Sequence, residues 1–236
     1  MTQPEHKQIV RWHGVADAQA LRRAALQRVL KAADEAVRER GAFHVVLAGG
    51  NTPRALYADL RSEKIDWSAW HVWFGDERCL PPHDADRNSL MANEALLSHV
   101  SIPKSQIHVI PAELGAEPAA VAYAGDLRAV SGRDFDLVLL GLGEDGHSAS
   151  LFPGNDWGAI PGSPDAQAVL NAAKPPPERV SLSAARLSRA RQVLFLVSGE
   201  SKRDAVAAWR VGEPIPAAAV APASGVDVLI EADLLR

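Results

Sequence analysis

Short apolar runs alternate with amphipathic stretches along this chain, and that alternation limits the fold more than any single motif does. "FHVVLA", "WHVWF", "IHVI", "FDLVLLG" and "RQVLFLVSG" each read as a strand, being brief and rich in branched and aromatic residues. "KQIVRW" reads as another at the start of the chain. Between them lie segments with the helical period. From about Asp17 to Arg40, Leu21, Ala25, Val29 and Ala33, with Leu26, Leu30 and Val37, recur at spacings of three and four and predict one apolar helix face. Gly41 stands where a C-terminal cap is expected. "GGNTPRALYADL", "SLMANEALLSHV", "PAAVAYAGDLRAV" and "SKRDAVAAWRV" predict further helices, the first with Thr52 as N-cap and Pro53 as its first helical residue. Strands without a polar face need cover on both sides. The expected fold is therefore α/β, a single domain over residues 1–236 with a mainly parallel, Rossmann-like sheet flanked by helices. "AIPGSPDAQAVLNAAKPPPE" predicts a surface excursion rather than a domain boundary.

Composition narrows the partners. The formal net charge of −4 gives no electrostatic footprint for nucleic acid or an anionic membrane, so an anionic ligand would need a local cluster of cations. Cys79 is the only cysteine, which rules out an internal disulfide and points to a reducing compartment. "MTQPEHKQIVRW" has no apolar core of signal-peptide length, and no apolar run approaches membrane-spanning length. The expectation is a cytoplasmic protein with neither nucleic-acid nor membrane partners.

In open parallel sheets, ligands bind beyond the carboxyl ends of the strands. "LAGGNTP" is one such end: Gly49 and Gly50 allow close backbone approach, and the next helix start offers unpaired N–H groups to a phosphate. A plain βα turn is the alternative. "WFGDERCLPPHDADRNS" places Asp76, Glu77 and Arg78 at a second end, where an arginine could hold a phosphate or a developing oxyanion. A structural ion pair is the alternative there, and Cys79 reads as a half-buried thiol without a nucleophile's partners.

"GLGEDG" follows "FDLVLL", and Gly141, Gly143 and Gly146 fit the G-x-G-x-x-G dinucleotide pattern. Its context does not. Pro153 and Gly154 interrupt the chain soon afterwards, and no strand ending in an acid lies about 20 residues on. What remains is Asp145-Gly146-His147 at a strand end. A neutral imidazole is a natural general base near pH 7, and an adjacent carboxylate can fix its tautomer.

Taken together and in this order, "AGGNTP", "FGDERCLPPHDADRNS" and "GLGEDGHSASLFPG" resemble the 6-phosphogluconolactonase family, within the larger group that includes glucosamine-6-phosphate deaminases. "ERVSLS", "ARQVLFLVSGESKRDAV" and "IPAAAVAP" extend the resemblance across nearly the whole chain. Two departures stand out: Asn51 replaces a common Ser, and "VDVLIEADLLR" lacks a Trp often found before the final Asp. Arg78 and "SLFP" replace the D-E-Y string and the Asn-Glu typical of deaminases.

The resemblance implies hydrolysis of 6-phosphoglucono-δ-lactone in the oxidative pentose phosphate pathway, without metal or organic cofactor. It implies His147 as general base on water, with Asp145 as its orienting partner or a contact to substrate hydroxyls. Arg78 would serve the oxyanion or the phosphate. Gly49, Gly50, Asn51 and Thr52 with Lys202 would anchor the phosphate, and Asp76 and Arg179 would complete the substrate pocket. The partner is a small phosphorylated sugar lactone, and the chain is expected to be a monomer or weak homo-oligomer. The rival readings are a glucosamine-6-phosphate deaminase, a sugar-phosphate sensor without turnover, and a NAD-dependent dehydrogenase.

Overall fold

In the computed structural model, which describes residues 8–129 and 134–236, seven strands form one sheet in which every neighbouring pair is parallel. The strands are β1 (Val10–Val15), β2 (Phe43–Leu47), β3 (Trp70–Phe74), β5 (Ile107–His108), β6 (Phe135–Gly141), β9 (Ala190–Val197) and β10 (Val226–Glu231), in spatial order β1-β10-β9-β6-β2-β3-β5. A second, antiparallel sheet of β4 (Asp76–Arg78), β8 (Arg179–Leu182) and β7 (Ala166–Val169) lies beside it. Lys7 of the expected first strand and Val130 of an expected helix lie outside the described residues.

The α/β expectation holds for a physical reason visible along β2 and β6. All five residues of β2 and the first six of β6 are buried, as strands covered on both faces must be. The cover begins with α1 (Ala18–Arg40), capped by Asp17, whose side chain accepts the Ala20 N–H at 2.7 Å, and closed by Gly41 at φ 76°. Its buried stripe is Leu21, Ala25, Val29, Ala32, Ala33 and Ala36, while Leu26, Leu30 and Val37 flank it half-buried. The small residues let the helix lie close to the sheet, a preference that spacing alone does not disclose.

Four local expectations need correction. Thr52 does not cap its helix: α2 (Asn51–Leu60) begins two residues before the expected Pro53, after Gly50 at φ 103°, with no side-chain cap bond. The "IHVI" strand shrinks to the two residues of β5, an edge strand. "SLMANEALLSHV" divides into α3 (Asn88–Ala95) and a 3₁₀ turn over Leu97–His99. The Pro- and Ala-rich excursion carries β7, which pairs residue by residue with β8. Helix α4 (Ala116–Ala129), α5 (Ala184–Ser188) and α6 (Arg203–Val211) complete the set.

The order of the strands locates a crevice. From β2 the chain runs outward through β3 and β5, then returns to the other side of β2 as β6 and continues through β9 and β10. The direction of winding reverses between β2 and β6, the topological switch point where open α/β sheets bind ligands. These two strands pair only at Val45–Leu137 and Val46–Val138. At neighbouring strand ends, buried tyrosines take the place of ladder partners. Tyr57 of α2 donates to the Ala48 carbonyl at 2.8 Å and accepts its N–H at 2.9 Å, and Tyr123 of α4 does the same for Phe74 at 3.1 and 2.9 Å.

Candidate active site

A cleft of about 200 Å³ opens at the switch point, walled by Gly49, Gly50, Asp76, Arg78, His147, Arg179 and Lys202 among others. Arginines and a lysine from three separate strand ends thus meet at one place. They form the local cationic cluster that the overall charge of −4 made necessary for an anionic ligand.

The loop after β6 carries the most reactive geometry. Gly143 donates its N–H to the His147 carbonyl at 2.7 Å, and Gly146, at φ 81°, donates to the Gly143 carbonyl at 3.1 Å. This tight turn brings His147 Nδ1 to 2.5 Å from Asp145 Oδ1, while the same carboxylate accepts the His147 backbone N–H at 3.2 Å. With Nδ1 donating, the neutral ring keeps its lone pair on Nε2. Gly143 is indispensable to this arrangement, because a Cβ there would overlap His147 Nδ1 and stand 2.6 Å from Asp145 Oδ1.

Burial holds the His147 imidazolium below the usual histidine range, against the opposing hydrogen bond and charge of Asp145. Burial pushes the Asp145 carboxyl upward, but the hydrogen bond and charge of His147 outweigh it and hold it below the usual carboxylate range. The imidazole is therefore neutral near pH 7 and the carboxylate charged, the states a general base and its orienting partner require. Behind the ring lies Phe152, 4.7 Å from its centroid, and the Arg179 guanidinium sits 5.3 Å from the centre of Phe152.

The second sheet explains the D-E-R string. Glu77 is wholly buried, and its carboxylate accepts the N–H groups of Arg78, Asn88 and Ser89, each at 2.8 Å. It thereby caps the start of α3 with a negative charge. Arg87, only 2% exposed, sits 3.3 Å from Glu77 and also reaches Glu113 at 3.0 Å. The structural ion pair considered for this string therefore exists, but it belongs to Glu77 and Arg87.

Asp76 and Arg78 face the other way, into the cleft. Asp76 accepts from Ser150 Oγ at 2.6 Å and from Asn88 Nδ2 at 3.1 Å. Arg78 donates through Nη1 to the Asp86 carbonyl at 2.5 Å, while its buried Nε has no hydrogen-bond partner among the described residues. The residue itself lines the cleft, where the charge of its guanidinium favours an anionic ligand. Cys79 is half-buried, and burial pushes its thiol up to about 11, which fits an inert thiol.

The remaining candidates divide. Gly49 and Gly50 line the cleft, and Gly49 has no room for a side chain because Asn88 occupies that space. Asn51 and Thr52 occupy the first positions of α2 and are not among the residues that wall the cleft. Lys202, at the end of a 3₁₀ turn before α6, lines the cleft. Arg179 also lines it; its Nε and Nη2 donate to the carbonyls of Pro176, Lys174 and Pro175 at 3.0, 3.0 and 2.9 Å, and its Nη1 lies 3.5 Å from Ser150 Oγ. Asn88, Ser150 and Phe152 escape the sequence reading. Each acts through contacts made across the fold, and only their place inside the quoted strings hints at a role. Among the described residues, no group of three or more His, Cys, Asp and Glu side chains could hold a metal ion, and no helix is long and apolar enough to cross a membrane.

Comparison with known proteins identifies the family of the chain. A 6-phosphogluconolactonase of Mycobacterium leprae is 38% identical over 227 residues, covering 91% of this chain and 92% of its own length. One from Streptomyces coelicolor is 37% identical over 211 residues, covering 81% and 79% of the two chains. The solved structure of a 6-phosphogluconolactonase from Thermotoga maritima superposes with a TM-score of 0.86 at 26% identity, covering 94% of this chain and 100% of that one. The family described as "Glucosamine-6-phosphate isomerases/6-phosphogluconolactonase" matches residues 16–229, and the chain belongs to it.

Proposed function

We propose that this chain, acting as one domain over residues 1–236, hydrolyses 6-phospho-D-glucono-1,5-lactone to 6-phospho-D-gluconate in the oxidative pentose phosphate pathway. One observation carries the reading: a neutral His147, oriented by Asp145 at 2.5 Å, stands in a cleft lined with cations. The names of the relatives from Mycobacterium leprae and Streptomyces coelicolor support it. A lactone is an activated ester and needs three things: a nucleophilic water, a stabiliser for the oxyanion, and an anchor for the phosphate.

The steps follow from the residues. A water between Nε2 of His147 and C1 of the lactone gives its proton to Nε2 as its oxygen bonds to C1. Asp145 stabilises the imidazolium that forms, as a carboxylate on Nδ1 does in other acyl-transfer sites. The carbonyl electrons move onto oxygen, and a guanidinium or backbone N–H lowers the cost of that charge. Arg78, which lines the cleft, supplies a guanidinium charge for an anionic oxygen of the substrate. When the tetrahedral intermediate collapses, the C1 bond to the ring oxygen breaks, and that oxygen recovers the proton from His147. The N–H groups at the start of α2, together with Lys202, hold the phosphate remote from the reacting carbon and position the ring. The single Cys79 and a phosphorylated substrate fit a reducing, cytoplasmic setting.

The test generates the lactone with glucose-6-phosphate dehydrogenase and follows its disappearance against a no-enzyme control, since the lactone also opens in water. Catalysed opening supports the reading. Ammonia release from glucosamine 6-phosphate, with no acceleration of lactone opening, would replace it with the deaminase.

A further inference from the structure

One residue beyond Gly143 of the cleft wall, the catalytic loop and the proline-bearing segment before β8 meet in an ion pair that the chemistry above does not use. Lys174 Nζ lies 2.7 Å from Glu144 Oε1, and Glu144 adjoins Asp145, the partner of the base. The backbone beneath the lysine is firmly held. Arg179 binds three successive carbonyls from Lys174 to Pro176, and the Ala172 N–H closes the turn on the Pro177 carbonyl at 2.9 Å. The side chain itself is 39% exposed and carries its charge on a flexible four-carbon stem. A hydrogen bond and the charge of Lys174 hold the Glu144 carboxyl below the usual carboxylate range, and Lys202 of the cleft wall acts on it in the same direction. The Lys174 charge also reaches His147, where it adds to the lowering by burial. One carboxylate thus stands between two ammonium groups beside a cleft built for an anion.

We propose that Glu144 is a placeholder for the phosphate of the substrate: it holds Lys174 before substrate binds, and a dianionic phosphate displaces it and takes Lys174 as a ligand beside Lys202. The inference rests on the reading of the substrate as a phosphorylated lactone. An exposed ion pair contributes little in water and is screened by salt, so Lys174 gives up Glu144 readily for a partner of higher charge. A phosphate has more charge and more acceptor oxygens than a carboxylate, whereas a neutral sugar lactone offers nothing to displace it with. Every ligand lacking that charge meets an internal competitor, which turns Glu144 into a discriminating element rather than a source of affinity.

The test is a mutant cycle on the full chain. Glu144→Gln should lower KM for the phosphorylated lactone, and the inhibition constant of inorganic phosphate, by about two- to fivefold, since a competitor is gone. Lys174→Gln should raise both by about tenfold, the order expected when one charge-assisted hydrogen bond is lost. It should also move the acid limb of the kcat/KM profile upward in pH, because a cation near His147 has been removed. In the Lys174→Gln background, Glu144→Gln should have a much smaller effect, that of its charge on Lys202 alone. A Glu144→Gln effect of the same size in both backgrounds, or no effect on phosphate inhibition, overturns the placeholder. If the unsubstituted protein opens no lactone, the functional reading fails instead, and phosphate binding measured by calorimetry in the four proteins still decides the placeholder.

Discussion

Gly143→Ala adds one methyl group at a position outside the left-handed region, so the backbone itself accepts alanine. The space does not. The new Cβ would overlap His147 Nδ1 and lie 2.6 Å from Asp145 Oδ1, whereas ordinary contact needs about 3.5 Å. The carboxylate must retreat by about 0.9 Å and the ring by more, which breaks or skews the 2.5 Å bond that orients the base. A displacement of about 1 Å in a positioned catalytic group costs on the order of 100-fold in rate. We therefore expect kcat for lactone opening to fall about 100-fold, with a stability loss of about 1–3 kcal/mol from overpacking. Gly141→Ala provides the control from the same glycine-rich motif. A Cβ there meets nothing within 4 Å and leaves the His147–Asp145 pair untouched, so any effect appears in KM, because Gly141 lines the cleft. The assay is continuous lactone consumption at saturating substrate, with urea unfolding in parallel. A Gly143→Ala enzyme within about threefold of the parent kcat would refute the claim that this glycine exists to seat the pair.

Three further outcomes follow from the same geometry. Activity should rise with pH through the His147 titration, because the base acts when neutral; its acid limb should lie below the usual histidine range, as burial dictates, and Asp145→Asn should move it lower still while reducing kcat. An unmoved limb in the pH profile of Asp145→Asn would separate Asp145 from the base. Lys202→Ala should act chiefly by raising KM for the phosphorylated lactone, and an unchanged KM would remove Lys202 from the phosphate site. Glu77→Gln removes the charge facing buried Arg87 at 3.3 Å and should cost about 3 kcal/mol in urea unfolding; a loss under about 1 kcal/mol would show that Glu113 suffices as partner for Arg87.

Much of this site is legible in the chain because it sits where local rules apply. Strand ends in a parallel sheet are the places to look, and "AGGNTP", "GDER", "GEDGH" and "SGESK" all proved to be such ends. His147 and Asp145 are two residues apart, so their contact is a property of one turn. What sequence could not disclose depends on distant partners. Glu77 and Arg78 look equivalent in the string, but the register of β4 against β8 sends them to opposite sides, one into the core and one into the cleft. Arg179 reads as a cation for substrate, and only the folded loop reveals its three carbonyl partners. Strand β10, over "VDVLIE", is a further element that the sequence reading does not assign; it sits between β1, from the other end of the chain, and β9, across α6. The glycine spacing misleads for a related reason: Gly143 and Gly146 make room for side chains of their own loop, not for a dinucleotide.

The central claim is that His147, oriented by Asp145, activates water on a phosphorylated lactone. Its most direct test is the saturated rate of lactone opening by His147→Ala, with circular dichroism to establish that the variant is folded. The account predicts a kcat lower by about two to four orders of magnitude at pH 7, the range for loss of a positioned base. A folded His147→Ala protein that opens the lactone at nearly the parent rate would contradict it.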